Sequence, residues 1–289
     1  MIFKLWPLLK DAVLGFINDE ALSRGAAMAF FAVTSLAPIV LIIVAIAGLV
    51  FGREAAQHAL AGQLNTIMGQ QSADFIQSAT ANAANQTSGT WAAVVGLVTL
   101  LLTASGVFGE MQSALNVIWK AEPKPVSVGA LVRARAISLG LVAALGFLLI
   151  ASLAISAALS AFGQFLNAHL PFADLILLII NELIALTLVA LLFSAIYKVL
   201  PDRRLSWRDV GVGAIVTALL FTAGKSLIGW YLGSSAVASS YGAASALLVT
   251  LLWVYYSSLI FLFGAEITRT YSIRHGTHRR DAAELSAED

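Results

Sequence analysis

The segment that decides the fold runs from Gly211 to Leu232 and reads GVGAIVTALLFTAGKSLIGWYL. Its length matches the roughly 20 apolar residues that a helix needs to cross a bilayer. One charged residue, Lys225, lies inside it. An ammonium group at membrane depth costs several kcal/mol unless a partner or a water-filled cavity offsets it, so such residues line pathways or complete ion pairs. The segment therefore predicts a membrane helix that carries a functional residue.

The composition of the whole chain is that of a membrane protein. Of its 289 residues, 59% are hydrophobic and 11% are charged, whereas soluble domains are roughly a quarter charged. The net charge of +1 and the lack of a basic stripe with interleaved aromatic residues argue against a nucleic-acid partner. The sequence contains no cysteine, which excludes disulfides and thiolate chemistry. We expect no cleavable signal peptide, because no small-x-small site follows the N-terminal apolar residues.

Six apolar segments are each near the length that a bilayer demands. Backbone amides in hydrocarbon must be satisfied within their own segment, so each is expected to be a helix. The predicted fold class is therefore all-α: a polytopic membrane protein with six transmembrane helices and an N-terminal amphipathic interfacial helix. The predicted spans are Gly25–Phe51, Trp91–Met111, Val132–Leu159, Leu175–Val199, Val210–Leu232 and Ala243–Thr268.

Lysine and arginine are distributed unevenly between the two ends of these spans. Fifteen of the 17 basic residues lie before the first span, between spans two and three, between spans four and five, or after the sixth. Only Arg53 lies on the opposite side, and Lys225 lies within the membrane. The positive-inside rule makes the basic side cytoplasmic and places both termini there.

The segments outside the spans predict three further features. Residues 1–24 are expected to form a cytoplasmic amphipathic segment that lies on the membrane surface. The alternative is a plain extension of the first span, against which the polar run Asn18-Asp19-Glu20 favours a break. The outer loop over residues 52–90 carries apolar residues at helical spacing and is expected to form short helices that cap the outer face. The cytoplasmic tail over residues 269–289 lacks an apolar pattern and is expected to be solvated.

Lys225 has a candidate partner in Glu182. Counted from the predicted span ends, both residues lie roughly 10 Å below the outer boundary, where a pair costs less than either ion alone. Thr222 belongs to a stripe of small residues on the face of Lys225, and Ser156 belongs to a serine row in span three. These residues are candidates for substrate binding or transport. The alternatives are a pair that only locks two helices, a lysine that snorkels to the headgroups, and serines that serve close packing.

A second group of candidates lies at the cytoplasmic ends of the spans. Glu110 and Glu266 are near the ends of spans two and six, where a carboxylate opposes the helix dipole. Arg24 and Arg135 are expected at the same level. These four residues form either an inner gate or structural ion pairs that fix the bundle. Pro38 lies inside the first span and predicts a helix kink.

Nothing in the sequence indicates catalysis, a metal site or a cofactor. The four histidines are divided between two outer loops and the tail, which is not the clustering that a metal site requires. No phosphate-binding loop, dinucleotide fingerprint or nucleophile elbow is present. We therefore expect a protein that is not an enzyme.

Several distinctive motifs follow one another along the chain. They are Arg24–Pro38, Ala114–Trp119, Tyr197–Asp202, Trp207-Arg208 with Gly213-Ala214, Tyr241-Gly242-Ala243 and Gly264-Ala265-Glu266. In this order they resemble the motifs of the YihY/BrkB family of bacterial inner-membrane proteins. The resemblance implies a six-helix bundle in the inner membrane. Members are often described as transporters, and some are linked to virulence and envelope traits. The family has also carried the label of a tRNA-processing ribonuclease, against which the scattered histidines argue, because a metal-dependent nuclease needs clustered ligands.

Two functions remain open from the sequence. In the first, the chain is a transporter or exporter of an anionic solute or lipid, with a cavity inside the six-helix bundle and Lys225 near its outer mouth. In the second, it is a non-transporting scaffold or envelope-assembly factor that acts through the outer loop over residues 52–90. The expected partners are membrane lipids and an unidentified small anionic solute or lipid, and either function is compatible with a homo-oligomer.

Overall fold

The computed structural model describes residues 2–86, 106–121, 173–203, 205–234 and 244–275, together with scattered helical positions between 129 and 155. Within these residues all regular structure is helical and no strand occurs. The helices are α1 Ile2–Asn18, α2 Ala21–Phe51, α3 Arg53–Met68, α4 Gln70–Gln86, α5 over residues 106–118, α6 Ala173–Val199, α7 Trp207–Ser234 and α8 Ser245–His275.

Within the described residues, three helices are long and apolar enough to cross a membrane. They contain the segments Leu177–Val199, Trp207–Ile228 and Ser245–Arg274, with mean hydropathies of 2.3, 1.6 and 2.1. These segments correspond to the fourth, fifth and sixth predicted spans, so those three predictions are confirmed as apolar helices of membrane length. The first predicted span falls inside α2, and most of the second and third lies outside the described residues.

Two predicted helix ends differ from the structure. The helix containing the end of the second predicted span continues past Met111 to residue 118, and α8 continues past Thr268 to His275. In both cases hydropathy falls before the helix ends, and the last turns contact other protein segments, as Asn116 does with Asp202 and Ser272 with Asp209. Helix length here is decided by packing, which an apolar run does not report.

The centre of the bundle is the crossing of α7 with α8. A Cβ atom on Gly213 would lie 2.6 Å from the Cβ of Thr268, and one on Gly264 would lie 2.9 Å from the Cβ of Thr217. Both distances are too short for real atoms, so only glycine permits these helices to approach so closely. Small residues at a crossing are typical of membrane helices, whose association depends on close packing.

The loop predicted to hold short helices forms a helical hairpin, α3–α4. Gly52 and Gly69 have φ angles of 86° and 81° at the two corners, a region that glycine enters without steric cost. The hairpin packs on α2 and on the N-terminal half of α8. Its contacts form an apolar cluster built around Val40, Val44, Leu60, Met68, Ile76, Val249 and Trp253.

Helix α1 packs at the other end of α8. The chain breaks between α1 and α2 at Glu20, which has a left-handed φ of 55°. The ring of Phe16 meets that of Phe263 edge-on, with centroids 5.8 Å apart. Arg274 Nε donates to Asp11 at 3.0 Å. Later residues of α1 contact earlier residues of α8, so the two helices run antiparallel.

Candidate functional site

One end of the bundle is tied together by contacts between α5 and the turn that joins α6 to α7. The side-chain amide of Asn116 donates to Asp202 Oδ2 at 2.8 Å, and the backbone N–H of Asp202 donates to Asn116 Oδ1 at 2.8 Å. Arg203 donates to the carbonyl of Trp119 at 3.1 Å. Two motif segments that are about 80 residues apart in sequence therefore form one reciprocal clamp.

Tyr197 connects the clamp to the helix crossing. Its ring is fully buried and stacks on Phe261, with centroids 5.1 Å apart. Its hydroxyl donates to the carbonyl of Phe261 at 2.6 Å and lies 3.1 Å from the hydroxyl of Thr217. Because a buried hydroxyl without a partner costs about 1–3 kcal/mol, these bonds fix α6, α7 and α8 relative to one another.

A group of charged residues lies beside this clamp, where the α1–α2 corner meets α5. Asp19 has an exposure of only 6%, and Lys120 binds its Oδ1 at 2.5 Å. Arg24 donates to the backbone carbonyl of Asp19 at 3.1 Å and approaches Glu110 to 3.9 Å. The structure therefore brings together Arg24 and Glu110, two of the four residues predicted as a gate or as ion pairs.

Glu266 is the most deeply buried acid in the described residues, with 0% exposure. Arg269 approaches its Oε2 at 4.0 Å, and the backbone of Gly15 packs against its head. The carbonyl of Gly15 accepts a hydrogen bond from the backbone N–H of Asp19 at 2.8 Å, so Asp19 lies near Glu266. A Cβ on Gly15 would lie 2.5 Å from Oε2. Within the described part of the chain, neither oxygen of Glu266 accepts a hydrogen bond, and neither does Oδ2 of Asp19.

These contacts collect basic side chains at a single end of the bundle. The buried Asp209 accepts a hydrogen bond from Ser272 at 2.7 Å, so the start of α7 and the end of α8 are level. The same end carries Lys198, which donates to the carbonyl of Leu205 and lies 5.5 Å from the ring centre of Trp207. The basic residues that form ion pairs or hydrogen bonds at this end are Arg24, Lys120, Lys198, Arg203, Arg269 and Arg274.

Lys225 lies away from this basic end, on the inward face of α7. It is partly buried, and it follows the fully buried Ala214 and Ala218 along the same helical face. In the described part of the chain, Lys225 makes no hydrogen bond or ion pair. Glu182, its predicted partner, is exposed. Thr222 is partly buried one turn earlier.

The helix register explains why Lys225 and Glu182 do not meet. Tyr197 contacts Thr217 and Phe193 contacts Phe221, so α6 and α7 run antiparallel with a fixed offset. Four residues farther along both helices, the same register places Lys225 of α7 level with residue 189 of α6. Glu182 is then seven residues farther along α6, which corresponds to about 10 Å. The predicted depth match rested on assumed span ends, whereas the actual register is set by these ring and hydroxyl contacts.

The other predicted site residues, or their side chains, lie outside the described part of the chain. Ser156 and Arg135 lie outside the described residues. The backbone of α2 is helical through Pro38, whose side chain is also outside the described set, so the kink remains a prediction. Within the described helices, no three His, Cys, Asp or Glu side chains are grouped to hold a metal ion.

Sequence reasoning missed two kinds of residue at these sites. Asp19 was interpreted only as part of a helix break, although an acid at a corner between two apolar helices is also a candidate for burial. Trp253 and Ser72 were not singled out at all. The indole Nε1 of Trp253 and the hydroxyl of Ser72 are buried and have no hydrogen-bond partner among the described residues. No sequence pattern marks such atoms, because their satisfaction depends on distant neighbours.

Comparison with known proteins identifies the family. The family described as virulence factor BrkB matches residues 12–288. A UPF0761 membrane protein of Ralstonia nicotianae is 32% identical over 190 residues, covering 65% of this chain and 41% of the relative. UPF0761 membrane proteins of Rhodospirillum centenum and Pseudomonas aeruginosa are each 28% identical, covering 91% and 93% of this chain.

The relatives are longer than this chain, which spans 57% of the Rhodospirillum protein and 64% of the Pseudomonas protein. No solved structure matches the fold. The match to the family nevertheless extends over nearly the whole sequence, including the clamp, the helix crossing and Glu266. The chain is a membrane protein that belongs to the virulence factor BrkB family.

Proposed function

We propose that this protein is a transporter or exporter of an anionic solute or lipid, and that it catalyses no covalent chemistry. The observation that carries the proposal is Lys225, a partly buried ammonium group in a segment of mean hydropathy 1.6, without a partner in the described part of the chain. An intramembrane charge is a functional-site hypothesis by default. A cation that lacks a protein anion is suited to binding an anion from outside.

The neighbourhood of Lys225 supports the choice of an anion. Phe221, one turn from Lys225, packs edge-on against Trp253 with centroids 6.0 Å apart. The unpartnered Nε1 of Trp253 lies in the apolar cluster beneath the α3–α4 hairpin, and the unpartnered hydroxyl of Ser72 lies beside Ile76 in the same hairpin. The Lys225 ammonium, the Trp253 N–H and the Ser72 hydroxyl each lack a partner among the described residues, and a phosphate or carboxylate supplies only acceptors.

We further propose a six-span topology in the inner membrane, with both termini cytoplasmic. The basic end of the bundle would then face the cytoplasm by the positive-inside rule, and the α3–α4 hairpin would cap the outer face. Helix α1 would lie within the inner interface. The exposed side chains of Trp6, Leu9, Val13 and Ile17 on α1 suit contact with lipid.

The first test compares exported metabolites and outer-leaflet lipids in cells that hold wild-type protein, Lys225→Ala or no protein, at matched protein levels. The proposal predicts an anionic species that accumulates outside only with wild type. Lys225→Arg should retain part of the activity, because the charge is kept while its compact shape is lost. Ser226→Ala, the exposed neighbour on α7, is the matched control and should behave as wild type. Full activity of Lys225→Ala would refute the assignment.

A second candidate is a scaffold that acts through the α3–α4 hairpin. The observation in its favour is that the hairpin keeps an exposed polar face, including Gln57, His58 and Asp74, while its apolar side chains are buried against the bundle. Reversing charge at Asp74 and adding charge at Gln57 would alter this face and spare the buried contacts. Loss of the cellular phenotype in that variant, together with wild-type behaviour of Lys225→Ala, would favour the scaffold over the transporter.

A further inference from the structure

We propose that Asp19 and Glu266 form a proton-binding pair, in which two buried carboxyl groups hold one proton between them. Asp19 lies at the corner between α1 and α2, and Glu266 lies in α8, so the pair joins two separate parts of the bundle. The pairing rests on Gly15, whose backbone packs against the head of Glu266 and whose carbonyl accepts a hydrogen bond from the backbone N–H of Asp19 at 2.8 Å. That its proton is the coupling ion of transport rests, in addition, on the proposed function.

Three of the four carboxyl oxygens of the pair lack a hydrogen-bond donor among the described residues. Glu266 is fully buried and neither of its oxygens accepts a hydrogen bond from the described residues, and Oδ2 of Asp19 is in the same position. An ionised carboxylate is an acceptor only, so two facing carboxylates cannot satisfy each other. One added proton turns an oxygen into a donor, and a single O–H···O bond then satisfies an atom on each side.

Charged side chains from α2, from α8 and from the end of α5 surround the pair. Lys120, after α5, binds the other oxygen of Asp19, and Arg269 in α8 approaches Glu266. From α2, Arg24 bonds the backbone carbonyl of Asp19 and is itself matched by Glu110 of α5. Two cations therefore already flank the two acids, and a bound metal ion would lie next to both of them. A proton needs no ligand shell and fits between the oxygens.

The carboxyl group of Glu266 has little space around it. The backbone of Gly15 in α1 packs against its head, so closely that a Cβ there would lie 2.5 Å from Oε2. A hydrated ion cannot enter such a contact. Loss of the proton would leave two carboxylates facing each other at low dielectric, where like charges repel strongly. Release of the proton should therefore separate the α1–α2 corner from α8.

The route for the proton is short. The side chain of Lys120 is 54% exposed, and those of Arg24 and Glu110 are each 24% exposed. The charged side chains around the pair therefore reach solvent at the basic end of the bundle. On the proposed topology this end is cytoplasmic, so the proton would exchange with the cytoplasm.

The test is infrared difference spectroscopy of the purified full chain at neutral pH, which detects the carbonyl stretch of a protonated carboxyl group and its shift in heavy water. We expect the band in wild type. It should disappear in Glu266→Gln and in Asp19→Asn, and persist in Glu110→Gln, whose carboxylate is ion-paired outside the pair. Absence of the band from wild type, or its persistence in Glu266→Gln, would overturn the proposal.

Thermal melting provides a second readout that does not depend on assigning a band. A folded state that binds a proton more tightly than the unfolded chain loses stability as the pH rises. The melting temperature of wild type should therefore fall above neutral pH by more than that of Glu266→Gln, whose amide can donate to Asp19 permanently. An equal fall in both proteins would contradict the pair. Neither measurement involves Lys225 or transport, so failure of the proton-binding pair leaves the transport proposal intact. Failure of the transport proposal likewise leaves the proton-binding pair intact.

Discussion

Replacing Gly213 by alanine should force α7 and α8 apart, whereas the same change at Gly211, two residues earlier in α7, should not. A methyl group at position 213 would lie 2.6 Å from the Cβ and 2.9 Å from the Cγ2 of Thr268. The Cβ of a helical threonine moves only with its backbone, so the collision cannot be relieved by a rotamer change. At Gly211 the added carbon has nothing within 4 Å.

The expected magnitudes follow from these two environments. Overpacking a close-packed interface costs about 1–3 kcal/mol, and the rigid contact with Thr268 puts Gly213→Ala toward the upper end. At Gly211 alanine only removes the conformational freedom of glycine, which stabilises a helix by up to about 1 kcal/mol. Gly213→Ala gains the same helix propensity, so the free energies of unfolding of the two variants should differ by the overpacking cost alone, about 2–3 kcal/mol.

Equilibrium unfolding of both purified variants in mixed micelles, followed by circular dichroism, measures this difference directly. The two substitutions are chemically identical and lie in one helix, so effects of expression or detergent cancel. If Gly213→Ala proved as stable as Gly211→Ala, the close crossing of α7 and α8 would be refuted.

Two further predictions concern the clamp and the orientation. Asn116→Ala should destabilise the protein by about 1–3 kcal/mol, because it leaves Asp202 short of a donor, and a double-mutant cycle with Asp202→Ala should show strong coupling; additive effects would contradict the clamp. The chain lacks cysteine, so single cysteines at the exposed Gln57 and Arg208 report topology: in intact cells an impermeant maleimide should label only the former. Labelling of only the latter would invert the proposed orientation.

Hydropathy identified α6, α7 and α8 from the sequence because the signal is local. An apolar run of about 20 residues has few alternatives to a membrane helix, whatever its neighbours are. The break near Glu20 and short helices beyond Gly52 were also predicted, since both follow from nearby residues. What local patterns could not give was the extent of α8 and of the helix ending at residue 118, where the last turns contact other parts of the protein.

The pairing of Lys225 shows where sequence reasoning ended. Its predicted depth match with Glu182 required the offset between α6 and α7, and that offset is fixed by tertiary contacts such as Tyr197 with Thr217. The burial of Asp19 was equally hidden, because a polar corner has the same sequence whether solvent or another helix covers it. By contrast, Arg24 and Glu110 were expected at one level, and they meet.

Native mass spectrometry of purified wild type and Lys225→Ala tests whether the intramembrane lysine binds an anion. The account predicts that wild type carries an anionic solute or lipid through purification, and that Lys225→Ala loses it while Ser226→Ala retains it. Identical bound species in wild type and Lys225→Ala would contradict a role for the intramembrane lysine in binding an anion.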